Sequence, residues 1–164
     1  NTSTWKESIH MFSLAHVHLL VNHVPILGSV FVAALFIVAL IFKNVFLQNV
    51  SLWFLVVVAL STPIAYVSGD PTQRAVQGLP NVDDAAIAAH ETYARYGLIL
   101  MFIIGVLALG GAVFYWKRQS LPGAYKAIMT LLLLISVALF AYIGLLGGQI
   151  MHPEIRSFLQ TLRM

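Results

Sequence analysis

Cysteine is absent from all 164 residues. Disulfides, thiolate metal sites and covalent c-type haem attachment through this chain are therefore excluded. Charge is nearly as scarce: Asp, Glu, Lys and Arg make up 9% of the residues and hydrophobic types 60%. With a mean hydropathy of +0.88, the chain is far poorer in charge than the roughly 25% of an ordinary soluble domain. Also missing are a nucleophile elbow, a phosphate-binding loop and a carboxylate pair within the apolar runs, so nothing points to hydrolytic catalysis. The small basic excess, net +3, bears on membrane topology and not on nucleic acid.

The charges that exist are bunched. None lies between Glu7 and Lys43, Lys43 and Asp70, Arg95 and Lys117, or Lys126 and Glu154. Each gap matches or exceeds the roughly 20 apolar residues that cross a bilayer as a helix. The expectation is an all-α integral membrane protein, a single four-helix up-down-up-down bundle. Its spans are placed within 14–42, 51–68, 88–116 and 124–151, with an ordered outer loop at 69–87. The short hairpins "KNVFLQNV" and "KRQSLPGAYK" make spans 1 and 2, and spans 3 and 4, antiparallel neighbours. Pro25 and Pro63 should each start or kink a helix.

Both hairpins carry Lys or Arg (Lys43, Lys117, Arg118, Lys126) and no acidic residue, whereas all six acidic residues lie on the other side. The positive-inside tendency puts the hairpins in the cytoplasm and both termini and the long loop outside. Trp53 and Trp116 near the hairpins, and Tyr66, Tyr93 and Tyr96 at the other end, suit interfacial belts.

All six histidines fall on the side away from the hairpins: His10, His16, His18, His23, His90 and His152. At a rise of about 1.5 Å per residue, His16, His18, His90 and His152 reach similar heights, about 36–42 Å from the hairpin ends, and His23 lies roughly two turns deeper. A buried imidazole needs a partner, and a shared metal centre satisfies several at once. His16 and His23, seven apart, share a helix face; His18 projects from nearly the opposite side. His10 reads as a surface residue.

Haem b suits neutral imidazoles that face each other across a helix bundle, and small residues such as Gly97 and Gly144 could admit a flat ligand. His23 or His16 on span 1, paired with His90 and His152 on spans 3 and 4, could hold one or two haems, with His18 in reserve. Asn22, Glu91 and Gln149 stand beside candidate ligands. Copper is the alternative, held by His16, His18 and a third imidazole, and it requires residues 14–22 to be extended, because a helix would splay the first two apart. A third possibility is a cofactor-free structural subunit of a larger complex.

The stretches "HVHLLVNHVPILG", "PIAYVSGDPTQ", "GLPNVDDAAIAAHE" and "GGQIMHPEI" resemble a bacterial family of small four-span membrane proteins, similar in arrangement to membrane cytochromes b. The matching positions are His16, His18, His23, Pro25, Gly28, His90, Glu91, Gly147, Gly148, His152, Pro153 and Glu154. The resemblance supports the four-span fold and the set of histidines. The function expected is electron transfer within a redox complex, by a subunit that is not an enzyme alone. Its partners would be other subunits, a quinone pool and a periplasmic cytochrome.

Overall fold

The computed structural model describes residues 17–118 and 120–161, and every element in that range is a helix. They are α1 (His23–Ile41), α2 (Val45–Val76), α3 (Asp84–Arg118), α4 (Gly123–Met151) and α5 (Pro153–Thr161). Helical backbone over 17–21 precedes α1, separated from it by a turn at Asn22. Four helices, Val17–Ile41, Val45–Arg74, Asp84–Lys117 and Gly123–Met151, are long and apolar enough to cross a membrane. This is a multi-pass membrane protein of all-α class.

Local chemistry sets the helix ends. Pro25 lies in the first turn of α1, where its missing N–H costs least. At the first hairpin Lys43 takes a left-handed conformation (φ 51°), and the Asn44 side chain accepts a bond from the Leu47 amide at 2.9 Å to cap α2. Asp83 caps α3 in the same way, accepting from the amides of Ala85 and Ala86 at 2.9 and 3.1 Å. Arg156 ties this corner together. Its guanidinium donates to the carbonyls of Gln149, Ile150 and Asn81 and stands 3.7 Å from Asp83.

The connection after α2 is shorter than the expected 69–87. Helix continues through "SGDPTQRAV" to Val76 and resumes at Asp84, which leaves only 77–83 between them. Gly69, Asp70 and Pro71 look like a turn in sequence. The helix is sustained there by the Asp70–Arg74 pair at 2.8 Å and by the Thr72 hydroxyl, which donates to the Ser68 carbonyl. It ends where Gly78 adopts φ +80°, a conformation that costs other residues steric energy. Pro63 likewise lies inside α2 without ending it.

α1 packs on α2, α2 on α3, α3 on α4 and α4 back on α1, whereas the backbones of the diagonal pairs α1/α3 and α2/α4 stay more than 8 Å apart at Cα. The bundle is therefore a closed square. Its middle is filled by Phe36, Leu52, Leu55, Met101, Ile104 and Leu133, all fully buried. Small residues set the close approaches, since lipid supplies no hydrophobic drive between helices. A Cβ at Gly105 would stand 2.6 Å from that of Ala59, and one at Gly28 would stand 2.8 Å from a Val58 methyl. Large apolar side chains such as Leu27, Phe46, Leu60 and Phe102 face outward, as a lipid-solvated surface requires. Trp53 and Trp116 meet near the hairpin end, with centroids 6.4 Å apart. Tyr93 packs edge-on against Tyr96 and Tyr142 toward the other end.

Candidate functional site

In an α-helix each carbonyl points toward the residue four positions later, whose side chain partly screens it from neighbours. A glycine there leaves a notch through which another helix can reach the carbonyl. Two histidines use such notches. The Nδ1 of His18 lies 3.0 Å from the carbonyl oxygen of Ala65, and its ring covers Gly69, where a Cβ would come within 3.3 Å of Cε1. The Nδ1 of His90 lies 3.0 Å from the carbonyl oxygen of Ile143, over Gly147, where a Cβ would come within 3.2 Å of Cε1.

A carbonyl oxygen can only accept, so Nδ1 carries the proton in each case and Nε2 of the neutral ring is left with a free lone pair. Ser68 supports the first ring further: its Oγ is 3.1 Å from Nδ1 and donates to the same Ala65 carbonyl at 3.0 Å. Both imidazoles are half-buried, and no described residue bonds to either Nε2.

The two rings belong to diagonal helices. His18 lies on the first span and is received by α2; His90 lies on α3 and is received by α4. Asn22, one turn from His18 on the same helix face, buries a carboxamide Oδ1 that no group satisfies. At this end the bundle thus gathers two imidazoles of fixed tautomer and an unpartnered polar atom. The other unsatisfied buried side-chain atoms among the described residues, Gln48 Oε1 and Asn49 Oδ1, lie toward the hairpin end.

The other histidines are placed differently. His23 is exposed, and its Nδ1 donates to the Leu19 carbonyl of its own helix at 2.6 Å. His152, also exposed, joins α4 to α5 and bonds Glu154 Oε1 at 2.7 Å. His10 and His16 lie outside the described residues. The half-buried imidazoles bonded across helices are thus His90 and His18, the latter held in reserve by the sequence reading, whereas His23 and His152 are exposed. Among the described residues no three His, Asp or Glu side chains converge as a metal cluster. The backbone is helical over 17–21, whereas the copper arrangement needs an extended one.

Sequence reasoning passed over Ala65, Ser68 and Gly69. They lie in "PIAYVSGDPTQ", and their signal is a glycine four residues after a small residue near the end of an apolar run. The closing "GGQIMHPEI" also resolves into roles. Gly147 receives His90; Gly148 packs against Ile155, where a Cβ would be 3.3 Å from Cδ1; Pro153 opens α5.

Glu154 lies in the first turn of α5. Its carboxyl is held below the usual carboxylate range, first by its own backbone N–H and then by the His152 ring. A lowered folded value stabilises the helix start above the ordinary carboxylate pKa of about 4.3, and the effect is lost as pH falls through the lowered value. Amide protection at the start of α5, taken relative to the intrinsic exchange rate at each pH, should therefore fall in the acid range below about 4.3. Glu154→Gln should abolish that acid-dependent step.

The hairpin end carries a third notch. The Tyr125 hydroxyl donates to the Leu107 carbonyl at 2.9 Å and its ring covers Gly111. The same residues border an open cleft of about 280 Å³ with Val106, Gly110, Phe114 and Leu121. The cleft is apolar apart from that hydroxyl, and it lies at the opposite end of the bundle from the imidazoles. No protein-family model, curated protein or solved structure matches the chain.

Proposed function

We propose that the chain is a membrane electron-transfer subunit that holds one b-type haem between His18 and His90. The observation that carries this reading is the pair of imidazoles on diagonal helices, each with Nδ1–H bonded to a backbone carbonyl and Nε2 unprotonated. Metal-ligating histidines characteristically donate their other N–H to a carbonyl or carboxylate, which fixes the tautomer and raises ligand basicity. The donor set fits haem b, which takes two neutral imidazoles from facing helices and needs no cysteine. When bound, haem supplies reversible one-electron chemistry.

The protein's own residues set the terms of binding. Ala65 and Ile143 orient the rings through their carbonyls, and Ser68 adds a second acceptor to His18. Buried Ile87, one turn before His90, and buried Ile143 and Leu146 keep water from that ring. Both ligands lie near one end of the bundle, so a single centre cannot carry electrons across the whole bilayer. The route is lateral, from a quinone pool or partner subunit on one side to a periplasmic cytochrome on the other. The acid-free hairpins support a cytoplasmic position for the hairpin end, with both termini and the histidine site periplasmic in a bacterial inner membrane. A protein of this size works within a larger redox complex.

The test is a reduced-minus-oxidised visible spectrum of the protein purified with its native partners, with pyridine haemochrome quantification. The expected result is a b-type α band at one haem per chain. Absence of haem in that preparation overturns the reading, and elemental analysis for copper then separates a metal site from a cofactor-free structural subunit.

A further inference from the structure

A neutral imidazole carries its proton on either nitrogen, and only the unprotonated one can bind a metal. At both half-buried rings the choice is made by a neighbouring helix. We infer that Gly69 and Gly147 are positioning residues: each admits one imidazole far enough for Nδ1–H to reach the carbonyl four residues earlier, and thereby reserves Nε2 as the ligating atom. The service to a haem rests on the electron-transfer reading; the selection of tautomer stands on the geometry alone.

Three features carry the inference. The first is repetition: His18 with Ala65 and Gly69, and His90 with Ile143 and Gly147, show the same residue spacing on different helix pairs. The second is clearance. A methyl group at Gly147 would stand 3.2 Å from Cε1 and 3.4 Å from Nδ1 of His90, so the ring would have to back out of the notch and its hydrogen bond would lengthen. At Gly69 the corresponding distances to His18 are 3.3 and 3.8 Å. The third is the contrast with Tyr125, whose only polar atom is used up by the Leu107 carbonyl. A tyrosine in a notch is a packing device. A histidine in a notch has a nitrogen left over, and at both positions no described residue bonds to that nitrogen.

The test uses the haem-free chain in lipid nanodiscs, with ¹⁵N-labelled histidine read by NMR. In the wild type His18 and His90 should both show protonated Nδ1 and unprotonated Nε2. In Gly147→Val the His90 signals should move to the Nε2–H form or a mixture while His18 is unchanged; Gly69→Val should do the reverse. Gly110→Val adds its side chain where nothing lies within 4 Å of the new Cβ and should change neither ring. If either valine variant fails to fold, the alanine variants should show smaller displacements in the same direction. Reconstituted with haem, the notch variants should bind at least about tenfold less tightly, the loss typical of disturbed outer-shell partners.

A wild-type ring in the Nε2–H form, or a Gly147→Val protein whose His90 keeps Nδ1–H, overturns the inference. Locked tautomers in a chain that never holds haem overturn the electron-transfer reading and, with it, the service to iron. The two failures are thus distinct.

Discussion

Alanine at either His18 or His90 is expected to remove the b-type α band, while alanine at His23 or His152 leaves it at the wild-type level. Haem between two imidazoles depends on both, because loss of one axial nitrogen leaves an open position and removes one of two bonds that hold the group. The expected fall in haem per chain is about 100-fold or more, at or beyond the upper end of the loss typical of outer-shell changes alone. His23 cannot substitute without releasing the Leu19 carbonyl of its own helix and turning inward from an exposed face. His152 would have to leave Glu154 and the junction that opens α5. Pyridine haemochrome assays on the four variants, normalised to chain and checked for membrane insertion, decide the matter. A His18→Ala protein with full haem would remove His18 from the site, and loss in His23→Ala alone would restore the ligand pair favoured by sequence spacing.

The reason sequence spacing favoured His23 lies in the first span itself. That helix is apolar nearly all round, so hydrophobicity does not say which face turns inward. The seven-residue interval between His16 and His23 then looks like a ligand face. The inward stripe is marked instead by its small and polar members, Ser29, Ala33 and Ala39. Pro25, Ser29, Val32, Ala33, Phe36 and Ala39 are buried, and stepping back three or four residues from Pro25 leads to Asn22 and then His18. Inside a membrane bundle, polarity and small size report the packed face better than hydrophobicity does.

The four spans themselves were legible from charge-free lengths, because the cost of burying charge in lipid is large and local. The loop at 69–87 was misjudged because Gly, Asp and Pro carry turn propensities that hold for an isolated segment. Here the Asp70–Arg74 pair and the Thr72 hydroxyl bond to Ser68 carry α2 through them. His90 was recognisable as a polar residue at the end of a span. Its carbonyl partner on Ile143 was not, since a backbone acceptor leaves no trace in residue identity beyond the glycine that exposes it.

Gly111→Ala tests the notch itself, free of any cofactor, and it should destabilise the bundle. A Cβ there would stand 2.5 Å from the Tyr125 Cζ and 3.1 Å from a Leu52 methyl that is fully buried, so the crowded side cannot yield easily. Tyr125 must withdraw, and its hydroxyl loses the Leu107 carbonyl in a half-buried position. The lost hydrogen bond costs about 1–3 kcal/mol, and forced repacking adds about 1–3 kcal/mol. Against this, alanine gains roughly 0.5–1 kcal/mol over glycine in a helix interior. The net expectation is a loss of about 1–5 kcal/mol, read from reversible unfolding in mixed micelles. Gly110→Ala, one residue away in open space, collects the helix gain alone and should be neutral or slightly stabilising. Tyr125→Phe in the Gly111→Ala background should recover part of the loss, because it removes the atom nearest the new methyl. Haem content should be unchanged throughout, since Gly111 lies roughly 30 Å along α3 from His90. Equal stabilities for Gly110→Ala and Gly111→Ala would show that a ring over a glycine notch tolerates a methyl group. The same tolerance would then apply at Gly69 and Gly147, and the fixed tautomers of His18 and His90 would need another cause.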